Sequence, residues 1–139
     1  MQTLGNKGAK QKNVGAIVGD FRYLAKDGFS LIEKATQKSN FLYVFITENE
    51  KEKFAKELNL LGEQCQKYPK TKVLPSPCLV ASINFSPAAD ARFFGREIAS
   101  RLNIVKRYVR EEKPDTYEGR RNEGLRDVMR DYGIELVDI

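Results

Sequence analysis

VGAIVGDFRYLAKDGFSLIEKA, residues 14–35, is the stretch that decides the fold. Residues 14–18 carry no charge, which suits a strand buried on both faces. Gly19 and Asp20 stop that strand. Leu31, Ile32 and Ala35 then return at a spacing of three to four, the period of a helix. Ser30 with Glu33 makes a capping box, and Asp27 is an equally good N-cap one turn earlier, so the helix is expected to start between Asp27 and Ser30. A buried strand, a polar loop with glycine at both ends and a helix N-terminus form, in that order, the place where an α/β protein usually seats a nucleotide phosphate.

Outward from there, Phe41-Leu42-Tyr43-Val44-Phe45-Ile46 is aromatic and β-branched, a second buried strand, with Glu48 just beyond it. Residues 49–66 place Phe54, Leu58, Leu61 and Cys65 at helical spacing, with Glu and Lys on the other face. Pro69 ends that region, and residues 71–74 make a short third strand. A helix is expected at about 88–102, with Phe94, Ile98 and Leu102 every fourth residue, and residues 105–109 form a fourth strand. The last helix, 117–132, carries Leu125, Val128, Met129 and Tyr132 on one face and has Gly133 as its C′ residue. Residues 134–139 alternate as a fifth strand does. Five strands separated by helices predict a parallel sheet with right-handed crossovers and helices on both faces.

At 139 residues the chain has the size of one domain, expected to span 14–139 behind a flexible Gly-, Lys- and Gln-rich leader, 1–13. Its 41% hydrophobic and 31% charged content is that of a globular protein. No apolar run approaches the roughly 20 residues that span a bilayer, no signal peptide opens the chain, and a cytoplasmic location is expected. Cys65 and Cys78 stand alone and read as reduced, structural thiols. The chain has no histidine, which removes the commonest general acid/base and the usual metal ligand together. Any catalysis must use carboxylates, Lys, Arg or backbone. Lys7, Lys10 and Lys12 of the leader supply three of the net +5, leaving +2 for the body, a weak footprint for nucleic acid.

Gly15-Ala16-Ile17-Val18 on one side of the loop and Leu31-Ile32-Glu33-Lys34-Ala35 on the other resemble the opening of the C-terminal nucleotidylyltransferase domain of citrate lyase ligase. That signature runs roughly GAIV-MNxNPFTxGH-RYLIExA. Further on, FFGREIASRLNIVKRYV is similar to the family's FxxxIAPxLGIxxRYVGEEP, and Tyr132-Gly133-Ile134-Glu135-Leu136-Val137 to its YGIELVEI. The resemblance covers about 14–139 and implies a Rossmann-like nucleotidylyltransferase fold. It also implies ATP and Mg²⁺ as cofactors, activation of acetate by adenylyl transfer, and the citrate lyase acyl carrier protein as acceptor.

The active-site loop departs from the pattern. Where the family has Thr-x-Gly-His this chain has Ala25-Lys26-Asp27-Gly28, and where it has an upstream Asn-Pro this chain has Arg22-Tyr23. Losing one group that stabilises charge on the α-phosphate costs on the order of 10²–10³ in rate. A carboxylate on Asp27 at a helix N-terminus would satisfy the free N–H groups and repel a phosphate by roughly 1–4 kcal/mol at about 4 Å.

Around that loop the resemblance marks nucleotide-binding candidates, each with a plainer reading. Arg22 and Lys26 reach a phosphate or form a solvated basic loop. Asp20 holds Mg²⁺ through water or ends a strand as a turn residue. Gly28 stands at the His position. Ser82 neighbours Ala81 and Asn84, the places of the family's phosphate-side hydroxyls. Glu111 and Glu112 match an acidic pair or join Arg107, Arg110 and Arg121 in a salt-bridge cluster. Asn122 falls on a Tyr-Asn position or is helix-surface polarity. Phe21, Tyr23 and Phe29 stack on adenine or close over a pocket.

Three readings follow: an active adenylyltransferase; a non-catalytic derivative, natural or engineered, that keeps the scaffold for binding or structure; and a weak nucleic-acid binder through the basic leader. Changes concentrated at the catalytic positions favour the second.

Overall fold

The computed structural model describes residues 13–47, 51–76 and 91–139; residues 1–12 of the expected leader, Glu48, Cys78 and the segment holding Ser82 lie outside them. In chain order the elements are β1 (Val14–Gly19), α1 (Phe21–Lys38), β2 (Phe41–Ile46), α2 (Lys51–Cys65) and β3 (Thr71–Pro75). A π-helical segment, Phe94–Ala99, then runs into α3 (Ser100–Leu102), followed by β4 (Lys106–Val109), α4 (Tyr117–Arg130) and β5 (Glu135–Asp138). The strands form one parallel sheet in the order β3-β2-β1-β4-β5, with the uncharged run of β1 at its centre.

Alternation within that strand splits the core. Val14 and Ala16 face a layer closed by Phe94, Ile98, Ala99 and Met129. Ile17 faces the opposite layer, with Leu24, Leu31, Ile32 and Ala35 of α1 and Leu61 and Cys65 of α2. Helices therefore cover both faces, as a parallel sheet requires. Arg107, on β4, is buried with its guanidinium 5.0 Å above the ring of Phe94.

The helix ends follow their local chemistry. Thr116 caps α4 by accepting from the Gly119 amide at 3.0 Å. At the other end Gly133 adopts φ 72°, while its amide donates to Arg130 and that of Ile134 to Met129, the paired bonds of a Schellman ending.

Helix α1 has an earlier opening turn than expected, and resumes at Ser30, within the expected start. It opens at Phe21, where Asp20, in extended conformation, accepts from the Tyr23 amide at 2.8 Å. The chain then leaves helical geometry over residues 26–29, with Asp27, Gly28 and Phe29 all left-handed, and becomes helical again from Ser30. Asp27, at φ 54° and ψ 43°, is not the cap, because an N-cap residue is extended. The capping carboxylate belongs to Asp20.

Cys65 is buried between α2 and the sheet, and burial pushes its thiol up to about 11 from an ordinary 9.0, with Lys67 opposing. At pH 8 the native thiolate fraction is then about a hundredfold below that of the unfolded chain. Alkylation followed by mass spectrometry should show Cys65 labelled at least about a hundredfold more slowly in the native protein than in urea. Equal rates would mean that the α2–sheet contact opens freely.

Candidate functional site

In an open parallel sheet, ligands bind beyond the carboxyl ends of the strands where the order reverses. Here that point lies between β1 and β4, which pair as Gly15 with Lys106 and Ala16 with Arg107. Gly19 and Asp20 leave one strand and Arg110 the other. A cleft of about 250 Å³ lined by Ser39, Leu42, Lys70 and Thr71 opens at the opposite, amino end of the sheet.

The switch point is filled by the protein's own side chains. The ring of Tyr23 lies against the end of β1, where a Cβ on Gly19 would fall 2.5 Å from it. The Tyr23 hydroxyl accepts from the Arg110 amide at 3.0 Å, and the Arg110 guanidinium stacks 5.6 Å from the ring centre. Arg110 Nη2 donates to the Lys26 carbonyl at 2.9 Å and lies 3.4 Å from that of Tyr23. Its Nη1 is 3.7 Å from Asp27 Oδ2, and its buried Nε has no hydrogen-bond partner. From α4, Asn122 Nδ2 donates to the Arg110 carbonyl at 3.1 Å.

Arg110 thus ties the bent part of α1 to the end of β4, and α4 holds Arg110 in turn. It pairs with Asp27 across the crevice, which corrects the expected cluster with Glu111 and Glu112. The side chains of Arg22, Lys26 and Glu111 are exposed, and the Glu111 backbone amide donates to the Ile139 carbonyl at 3.2 Å. Lys26 enters the network through its carbonyl instead of its ammonium. Gly28 is exposed at φ 67°, a conformation that suits glycine. Phe21 and Phe29 meet edge to face at 6.2 Å beside Tyr23.

Asp20 and Asn122 are therefore both used, as a helix cap and as a loop anchor. Arg110 was marked only as a salt-bridge partner. The signal for it was its position, a long cation one residue after the strand that neighbours β1.

Mg²⁺ does not fit these residues as a resident ion: one oxygen of Asp20 serves the Tyr23 amide, and among the described residues no group of three His, Cys, Asp or Glu gathers. A phosphate fits better, because the loosely paired Nη1 of Arg110 is a charged donor suited to an oxyanion.

No protein-family model matches the chain, and no curated protein does. Among solved structures it is similar to pantothenate synthetase from Thermus thermophilus, at 13% identity and a TM-score of 0.58, over 93% of this chain and 56% of the synthetase. A second structure, pantoate-beta-alanine (pantothenate synthetase) from the same organism, gives 16% identity and a TM-score of 0.53 over the same shares, 93% and 56%. A universal stress protein in complex with cAMP gives 12% and 0.52, over 92% of this chain and 97% of that one.

These likenesses define the class by fold alone: a Rossmann-like α/β domain with a five-stranded parallel sheet, similar to that of pantothenate synthetase. The chain spans only 56% of the synthetase's length. No helix among the described residues is long and apolar enough to cross a membrane.

Proposed function

We propose that this chain is a nucleotide-binding domain of the citrate lyase ligase type whose adenylyl-transfer chemistry is lost or strongly impaired. The observation that carries this reading is the filled switch point. Tyr23 covers the end of β1, Asp20 satisfies the first turn of α1, and Arg110 bridges the crevice to Asp27. Asp27 and Arg110 stand where the resembled motifs carry glycine, so the two charged replacements meet each other in space. The solved universal stress protein of similar fold holds cAMP, which supports a nucleotide as the ligand.

Turnover needs a donor fixed on the α-phosphate as charge develops there. Gly28, at the resembled histidine position, offers no side chain, and no imidazole exists elsewhere in the chain. The residues left to hold a nucleotide are Arg110, with Arg22 and Lys26 on the exposed rim of the same loop. ATP, when bound, would supply the phosphates for these cations; the chain itself positions and desolvates them. The acyl carrier protein as partner, and residues 14–139 as one domain behind a flexible leader, belong to the same reading.

Calorimetric titration with Mg-ATP beside an acetate-dependent pyrophosphate-exchange assay tests it. Binding without exchange is expected. Exchange activity would overturn the loss of catalysis, and no heat with ATP would leave a scaffold role instead. Deleting residues 1–13 is expected to leave the salt dependence of any DNA affinity unchanged.

A further inference from the structure

The guanidinium of Arg110 is only half used. Its side chain is 13% exposed, and Nη2 is committed to the Lys26 carbonyl. Nε is buried without an acceptor, and Nη1 has a single carboxylate at 3.7 Å, well beyond the roughly 2.7–2.9 Å of a charge-assisted hydrogen bond. That carboxylate, on Asp27, is 69% exposed and sits on a backbone bent through three consecutive left-handed residues. An exposed ion pair of this length holds weakly, while a phosphate, with its greater charge, can take Nη1 with a short charge-assisted bond.

We propose that Arg110 is the oxyanion receptor of the switch-point crevice, and that Asp27 is an intrachain carboxylate parked on it, displaced when a phosphate-bearing ligand arrives. The identity of that ligand as a nucleotide rests on the function proposed above; the receptor does not. Asp27 acts as an autoinhibitory contact: its charge occupies the Nη1 side of the fork and repels the incoming anion, so affinity is set by competition between two oxyanions for one guanidinium. The left-handed loop provides the movement, because Asp27 and Gly28 are exposed and the Asp27 side chain can turn outward to release Nη1 while Phe29 stays packed on Phe21.

The test is titration of the full chain with inorganic pyrophosphate and, separately, with ATP, using wild type, Asp27→Asn and Arg110→Lys, each checked for folding by thermal unfolding. Asp27→Asn removes the competing charge from an exposed side chain and should tighten pyrophosphate about three- to tenfold. Arg110→Lys keeps the charge but loses the fork, and should weaken it by at least as much. Pyrophosphate affinity unchanged within twofold in a folded Asp27→Asn variant would overturn the proposal. So would wild-type affinity in folded Arg110→Lys.

The ATP arm separates the two readings. Pyrophosphate binding that follows both substitutions without any ATP binding keeps the receptor and removes the nucleotide. ATP binding indifferent to both substitutions keeps the nucleotide and removes the receptor.

Discussion

Replacing Arg110 with alanine is expected to lower the stability of the fold by about 2–3 kcal/mol, read as a shift of the urea midpoint at constant slope. The substitution isolates the guanidinium. The bond from the Arg110 amide to the Tyr23 hydroxyl and that from Asn122 to the Arg110 carbonyl use backbone atoms, and alanine keeps both. What is lost is the charged hydrogen bond to Lys26, the weaker one to Tyr23, the long ion pair to Asp27 and the stacking on the Tyr23 ring. A hydrogen bond to a charged group contributes about 1.5–3 kcal/mol and the cation–π contact about 0.5–1.

Part of the loss returns, because Asp27 and Phe29 are non-glycine residues in left-handed conformation and a freed loop relaxes that strain. Hydrogen exchange gives the local readout, with the amides of residues 26–29 losing protection before those of β1. Stability unchanged from wild type would mean that the bend in α1 holds itself.

The sheet could be read from the chain because its signals are local. Residues 14–18 and 41–46 are apolar runs whose burial needs no knowledge of their neighbours, and both are buried strands of the central pair. The break in α1 was not legible in the same way. Ser30 and Glu33 mark the helix that resumes at Ser30, but nothing local marks the helical turn that opens at Phe21 or the bend at residues 26–29, where the Lys26 carbonyl meets a guanidinium 84 positions away.

Asp20 looked like a turn residue or a metal ligand, and whether its carboxylate caps a helix depends on that early turn forming. The resembled motifs pointed to the two loops that meet at the switch point, but they gave no account of Arg110, since the pattern has glycine there. The fold was legible where burial alone decides, and the site was not, because it is made by side chains that find each other across the sheet.

Gly15→Val should be strongly damaging, costing about 3 kcal/mol or more, at or above the usual range for overpacking a core. Sequence preference argues the other way, because valine is a better strand residue than glycine and Gly15 sits in the central strand, paired with both Leu42 and Lys106. The contact decides. The ring of Tyr108 lies directly over the Gly15 Cα, so that any Cβ there runs into the ring and comes within 2.9 Å of the Ser39 hydroxyl.

That ring has little freedom to move. It is 1% exposed, its hydroxyl accepts from Ser39 at 2.9 Å, and it donates to the Lys38 carbonyl at 3.3 Å. Denaturation of Gly15→Ala and Gly15→Val should show a graded loss. In the double variant with Tyr108→Leu, the added cost of valine should fall well below its cost alone, since the two sites share one space. A Gly15→Val protein as stable as wild type, or strict additivity with Tyr108→Leu, would mean that the ring does not rest on the strand and that the glycine is there for another reason.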